Sequence, residues 1–341
     1  MIATPVRSSQ VESVPSSASK VVAFARRPQC THNLTVLGTG AWGSALATLA
    51  RHGDNAVQLW SRRGEVSLAD AIAAAPVILS AISMKGVPET IAKVQAIGLP
   101  EDAIIVTATK GLDRNTLKTP SQLWQAAFPK HPVVVLSGPN LSKEIEAGLP
   151  AATVVASTDV AAAEMVQALF ASDRFRVYTN PDPIGTELGG TLKNVVAIAV
   201  GICDGLDLGT NAKSALMTRA LAEMMRVGTH LGAQPETFVG LAGLGDMLAT
   251  CSSVLSRNYR VGYGLSQGKS LDTVLAEIQS TAEGVNTASV LVDLATQAQI
   301  PVPIARQVNR LLRSEASPME VVAALMERDL KPEGTAELLA S

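Results

Sequence analysis

At 341 residues, 47% of them hydrophobic, the chain is long enough for two cores rather than one. Its formal charge of −2, from 28 basic and 30 acidic residues with no basic block, excludes an electrostatic footprint for nucleic acid, and no uninterrupted apolar run of about 18 residues reads as a membrane span. The three cysteines, Cys30, Cys203 and Cys251, are too far apart for metal-type spacing and suit a reducing, cytoplasmic compartment, with Cys203 and Cys251 expected as small core residues.

Residues 1–32 are rich in Ser, Val, Ala and Arg without sustained period and are expected to form a flexible extension. A transit-like segment is the alternative, given Arg7, Arg26 and Arg27 against one acid, Glu12. From Leu34 short β-like runs alternate with helical stretches. The runs are Leu34 to Leu37, Ala56 to Trp60, Val77 to Ile82, Ile104 to Thr107, Val133 to Leu136, Thr153 to Ala156 and Arg176 to Tyr178. That alternation predicts βαβ units and a mainly parallel, Rossmann-like sheet over 33–182. After Pro183 the pattern turns to long Ala/Leu/Val-rich stretches with helical spacing, so 183–341 is read as an all-helical second domain. The expected fold class is therefore α/β, a parallel-sheet domain followed by a helical one.

Gly38-Thr39-Gly40-Ala41-Trp42-Gly43 follows the first strand and opens a helix. The first glycine permits a tight turn, the second lets backbone approach a pyrophosphate, and the third lets helix pack on strand. About 20 residues on, where a carboxylate would hold an NAD ribose, stand Leu59-Trp60-Ser61-Arg62-Arg63. The two guanidinium groups point to a 2′-phosphate and a preference for NADP(H), with NAD(H) still usable; a solvated pair of surface arginines is the alternative.

Four further segments combine polar residues with glycines: Thr109-Lys110-Gly111-Leu112, Ser137-Gly138-Pro139-Asn140, Leu192-Lys193-Asn194, and Gly243-Leu244-Gly245-Asp246 with Ser256-Arg257-Asn258. Lys110 and Ser137 follow predicted strands, which in an open α/β sheet is the ligand crevice. Lys193 sits beside an apolar helical stripe of Leu188, Leu192, Val195, Val196 and Ala199. Such a lysine either snorkels to solvent or, desolvated near other cations, has its pKa lowered until it can serve as a general base. Asp246 is either an N-cap or a group that orients Lys193 or the substrate. No histidine lies in a segment of this kind.

These segments carry a resemblance. The sequence resembles the bacterial-type NAD(P)-dependent glycerol-3-phosphate dehydrogenases from about Leu34 to Glu333, most specifically over Thr186 to Ala197 and Gly240 to Asn258. The resemblance implies reversible hydride transfer between the coenzyme and dihydroxyacetone phosphate, giving sn-glycerol 3-phosphate for phospholipid synthesis, with Lys193 as proton acceptor. It implies cofactor contacts from Gly38, Gly40, Ala41, Trp42, Gly43, Arg62, Arg63, Ser142 and Glu283. Substrate contacts would come from Gly138, Asn140, Lys193, Asp246, Ser256, Asn258, Lys110 and Arg257, the last two touching both ligands; no metal is implied. One departure stands out: between Arg63 and Val77 the family usually carries a few dozen more residues, and only a short link through Glu65 and Asp70 is present.

Two other readings compete with that one. A related 3-hydroxy-acid or sugar-acid dehydrogenase would leave Arg257 unexplained. A non-catalytic NADP(H) sensor would have no use for Lys193, Asp246 and Arg257 together. The expected partner is a phosphorylated small molecule, with neither nucleic acid nor membrane, and a homodimer is allowed.

Overall fold

The computed structural model describes residues 33–53, 55–279 and 281–330, so the extension expected over 1–32 lies outside the described residues. The seven strands are β1 (Asn33–Leu37), β2 (Ala56–Trp60), β3 (Val77–Ser80), β4 (Ile104–Thr107), β5 (Val133–Ser137), β6 (Ala151–Ala156) and β7 (Phe175–Asn180). They form one sheet in the order β2-β1-β3-β4-β5-β6-β7. Every pair is parallel except β5 with β6, where Val135 opposes Ala156 and Ser137 opposes Val154. The three central strands β3, β4 and β5 are buried throughout, which is why they read as continuous apolar runs. At the edge β2 alternates between faces, as a half-buried strand does. The order reverses at β1, whose neighbours are β2 and β3, and this switch point opens the crevice into which the glycine loop runs.

The helices on this sheet are α1 (Ala41–His52), α2 (Leu68–Ile72), α3 (Val87–Ile97), α4 (Pro120–Ala127), α5 (Ser142–Glu146) and α6 (Val160–Phe170). The short link expected after Arg63 contains a helix, α2. Ser67 caps it by accepting from Asp70 N (3.1 Å), and Leu68, Ala71 and Ile72 join the core beneath Trp60 and Ile78.

Among the described residues only helices follow β7: α7 (Pro183–Gly205), α8 (Gly209–His230), α9 (Pro235–Phe238), α10 (Asp246–Cys251), α11 (Arg257–Ser266), α12 (Leu271–Ile278), α13 (Glu283–Gln297), α14 (Pro303–Leu312) and α15 (Pro318–Met326). Helix α7 is the axis, buried continuously from Gly185 to Cys203. By length and composition it could cross a membrane, but 89% of its most apolar stretch is enclosed by the other helices. Cys203 and Cys251 are buried, as expected. Two residues, Pro181 and Asp182, separate β7 from α7. The Asp182 carboxylate accepts from Gly185 N (2.9 Å), Gln234 N (2.9 Å) and Thr237 Oγ1 (2.7 Å), clamping that junction to the α8–α9 turn.

Two buried glutamates cap helices other than their own. Glu187 of α7 accepts from Ser121 N (3.0 Å) in the first turn of α4, and Glu223 of α8 accepts from Ile304 N and Ala305 N (2.9 Å each) in the first turn of α14. Burial pushes both carboxyls up to about 7, against the pull of those hydrogen bonds.

Candidate active site

The glycine loop meets the demands read from its sequence. Gly38 has φ +115°, and a Cβ there would lie 2.8 Å from Ala81 O; one at Gly43 would lie 2.1 Å from Gly38 O. A Cβ at Gly40 would meet nothing within 4 Å, which is the open approach a pyrophosphate needs. Gly40 caps α1 without a side chain, so the first-turn N–H groups face that opening. Ala41 begins the helix and Trp42 donates from Nε1 to Ala108 O (3.3 Å), fixing the loop against the end of β4. Helix α5, opened by Ser142, packs on α1. Arg62 and Arg63 are exposed beyond β2, and Arg62 Nη1 lies 3.8 Å from Glu89 of α3, a carboxylate that the reading of the local sequence did not bring there.

The loop after β4 is held from two sides. Thr109 Oγ1 donates to Ile82 O (2.9 Å) and Gly111 N donates to Thr191 Oγ1 of α7 (3.0 Å). Lys110, between them, therefore projects at a fixed place along α7. Gly190 is required there: a Cβ would fall 2.2 Å from Ser137 Oγ and 3.3 Å from Lys110 Cε. One turn further along α7 is Lys193.

Its partners come from the segment that follows α9. A π-helical turn, Leu241–Gly245, precedes α10 and sets Asp246 at the start of that helix. Gly245 is the N-cap, so of the two roles open for Asp246 in the sequence the capping one does not apply. Its carboxylate instead lies between two lysines: Oδ1 is 3.0 Å from Lys193 Nζ, and Oδ2 pairs with Lys110 Nζ. Thr250, one turn on, donates to Asp246 Oδ1 (3.2 Å) and accepts from Lys193 Nζ. Sequence reasoning missed Thr250; its signal was the i, i+4 spacing from Asp246.

Lys193 is 6% exposed. Burial lowers its pKa to about 8, opposed by Asp246 and assisted by the Lys110 charge. Burial alone would raise Asp246, but Lys110 and Lys193 outweigh it and hold the carboxyl below its ordinary range. The cluster is thus an ionised aspartate between two cations, one of them easily deprotonated.

Around it lie oxygens without protein partners among the described residues. Ser137 Oγ and Asn140 Oδ1 are buried and unpaired, while Asn140 Nδ2 donates to Ala152 O (2.9 Å). Between them Gly138 crowds β6, where a Cβ would meet Thr153 Cα at 2.9 Å. Ser256 caps α11, accepting from Tyr259 N (3.2 Å). Asn258 is more committed than its expected contact with substrate suggests: Nδ2 donates to Asn194 Oδ1 (2.9 Å) and Oδ1 accepts from Gly284 N (3.0 Å), clasping α7, α11 and α13 and leaving one N–H. Arg257 is exposed beside Glu283, whose carboxyl is raised by burial and lowered by that arginine.

The structure so brings Lys110 and Lys193 together on Asp246, with Ser137 against α7 at Gly190. Arg257 with Glu283, and Arg62 with Arg63, form separate groups. The N-terminus and C-terminus family models for NAD-dependent glycerol-3-phosphate dehydrogenase match residues 63–163 and 182–323. Curated relatives described as glycerol-3-phosphate dehydrogenase (NAD(P)+) include one from Acaryochloris marina, 64% identical over 303 residues, covering 89% of this chain and 98% of that one. Another, from Synechocystis, is 64% identical over 300 residues, 88% and 95% of the two chains. The crystal structure of glycerol-3-phosphate dehydrogenase from Coxiella burnetii aligns with a TM-score of 0.83 at 33% identity, over 87% of this chain and 99% of that one.

Proposed function

The chain belongs to the NAD-dependent glycerol-3-phosphate dehydrogenase family, and on that premise we propose that Lys193 moves the proton in its interconversion of dihydroxyacetone phosphate and sn-glycerol 3-phosphate. The observation that carries this reading is the burial of Lys193 with a pKa near 8 between Asp246 and Thr250. An ammonium has three hydrogens. Two go to Asp246 and Thr250, which leaves the third for the substrate C2 oxygen. In the reducing direction Lys193 gives that proton to the oxygen as it becomes an alcohol; in the oxidising direction the neutral amine removes it. Asp246 stays ionised throughout and keeps the amine aimed.

A nicotinamide coenzyme, when bound, supplies or takes up the hydride at C2. Gly38, Gly40, Ala41, Trp42 and Gly43 would cradle its pyrophosphate, and Ser142, Glu283, Lys110 and Arg257 would add further contacts to it. Arg62 and Arg63 grip a 2′-phosphate, giving the preference for NADP(H) over NAD(H). Arg257 and the remaining N–H of Asn258 hold the substrate phosphate, with Ser256 beside them, while Gly138 and Asn140 border the carbon skeleton. Residues 33–182 thereby form the coenzyme domain and 183–341 the substrate domain, in a cytoplasmic enzyme that feeds phospholipid synthesis. The test is Lys193→Ala: kcat for dihydroxyacetone phosphate reduction should fall by about 10²–10⁴. A fall of less than tenfold would move the proton to another group.

A further inference from the structure

A cationic recess lies between α14 and α15, and none of its lining residues belongs to the site around Lys193. Its volume is about 210 Å³, and its walls are the Pro301-Val302-Pro303 segment, Arg306, Gln307, Ala324, Leu325 and Arg328. Behind it Arg226 donates from Nη1 to Pro301 O (2.8 Å), while its buried Nε has no partner. Arg219 and Arg328 stand near enough to Arg226 that their charges add to burial in lowering its pKa. Two guanidinium groups, Arg306 and Arg328, thus line the recess, and a third, Arg226, lies behind it.

A buried carboxylate nearby, Glu223, accepts from the N–H groups of Ile304 and Ala305, and its charge also reaches Arg226 and Arg328. Glu327 and Asp329 flank Arg328 along the chain, yet among the described residues neither pairs with it, and Arg306 makes no ion pair either. Like charges brought together repel, so an anion placed between Arg306 and Arg328 is favoured there.

We propose that this recess binds a small phosphate-bearing anion, with Arg306 and Arg328 on the phosphoryl oxygens and Gln307 adding a hydrogen bond. Guanidinium forks match phosphate oxygens in pairs, which lysines would not. At about 210 Å³ the space is below the roughly 300–1,000 Å³ of an ordinary cofactor site, so a dinucleotide is too large. Ala324 and Leu325 offer an apolar wall for a skeleton of a few carbons. The same chemistry admits free phosphate.

Calorimetric titration of the full chain with inorganic phosphate and with n-propyl phosphate, at constant ionic strength set by chloride, tests the assignment. Wild type should bind both, and R306A/R328A should lose at least tenfold in affinity for this class of site while kcat and KM for dihydroxyacetone phosphate stay within twofold. Tighter binding of n-propyl phosphate assigns the apolar wall to the ligand's carbons; equal binding assigns the recess to phosphate itself. R257A, which bears on the proposed substrate site, should leave the signal at this recess intact. Identical isotherms for wild type and R306A/R328A, or loss of all phosphate binding in R257A alone, would overturn the proposal.

Discussion

Two cationic places in this molecule are built in opposite ways. Lys193 and Lys110 share one buried aspartate and are fixed by α7, α10 and the Gly111–Thr191 hydrogen bond. Arg62, with 69% of its side chain exposed, pairs among the described residues only with Glu89, at 3.8 Å. The first is assembled before any ligand arrives, so its geometry costs nothing at the moment of reaction. The second lies open to solvent, which screens its charge. Burial also changes chemistry: it brings a lysine pKa to about 8, whereas an exposed arginine offers recognition alone.

Breaking the buried side of this comparison should cost most. Asp246→Asn removes the charge that raises the Lys193 pKa and that partners both lysines. We expect a loss of about 10²-fold or more in kcat and a downward move of the pH break from near 8. In wild type, kcat/KM for reduction should fall as pH rises through about 8, because the ammonium is the donor, and oxidation should rise over the same range. An upward move of the break in Asp246→Asn would mean that Asp246 does not set the titration.

Next in size is Arg257→Ala, which should lower kcat/KM for dihydroxyacetone phosphate by about 2–5 kcal/mol in activation free energy while scarcely affecting unphosphorylated dihydroxyacetone. Equal harm to both ketones would assign Arg257 to the coenzyme and leave the phosphate to Lys110. Thr250→Val keeps the Asp246 pair and removes one hydrogen bond to the amine, so a drop of about tenfold in kcat with unchanged KM is expected. The exposed side should show the smallest effect. Arg62→Ala with Arg63→Ala should raise the Kd for NADPH about tenfold at low salt, leave NADH nearly unaltered, and lose its contrast at high salt. Parallel losses for both coenzymes would remove the 2′-phosphate from these arginines.

All seven strands were legible, because strands buried on both faces are apolar runs and the edge strands alternate. Their ends were less so. The run from Val77 to Ile82 continues past β3, but after Ser80 the chain turns to meet Thr109, a contact no local pattern encodes. The antiparallel β5–β6 pair was hidden for the same reason, since direction is a property of the partner. Helix α2 escaped notice because five residues hold too little periodicity. In the site, Lys193 was legible as a polar residue against an apolar stripe. The choice between cap and ion partner for Asp246 was not, because the π-turn that rotates it toward α7 has no sequence period of its own. Glu187 and Glu223 were invisible: each looks like an ordinary helical glutamate until the N-terminus of another helix is placed over it.

The junction at Pro181 and Asp182 has a mechanical meaning. One carboxylate there grips three donors across two connections, and the strand passes into the long central helix with no slack chain. Such a joint behaves as a weld rather than a pivot: torque applied to the helical half goes directly into β7 and the sheet. The same joint ties the helix that carries Lys193 to the end of the sheet, so the position of that amine relative to the strands is set by the frame and not by a linker.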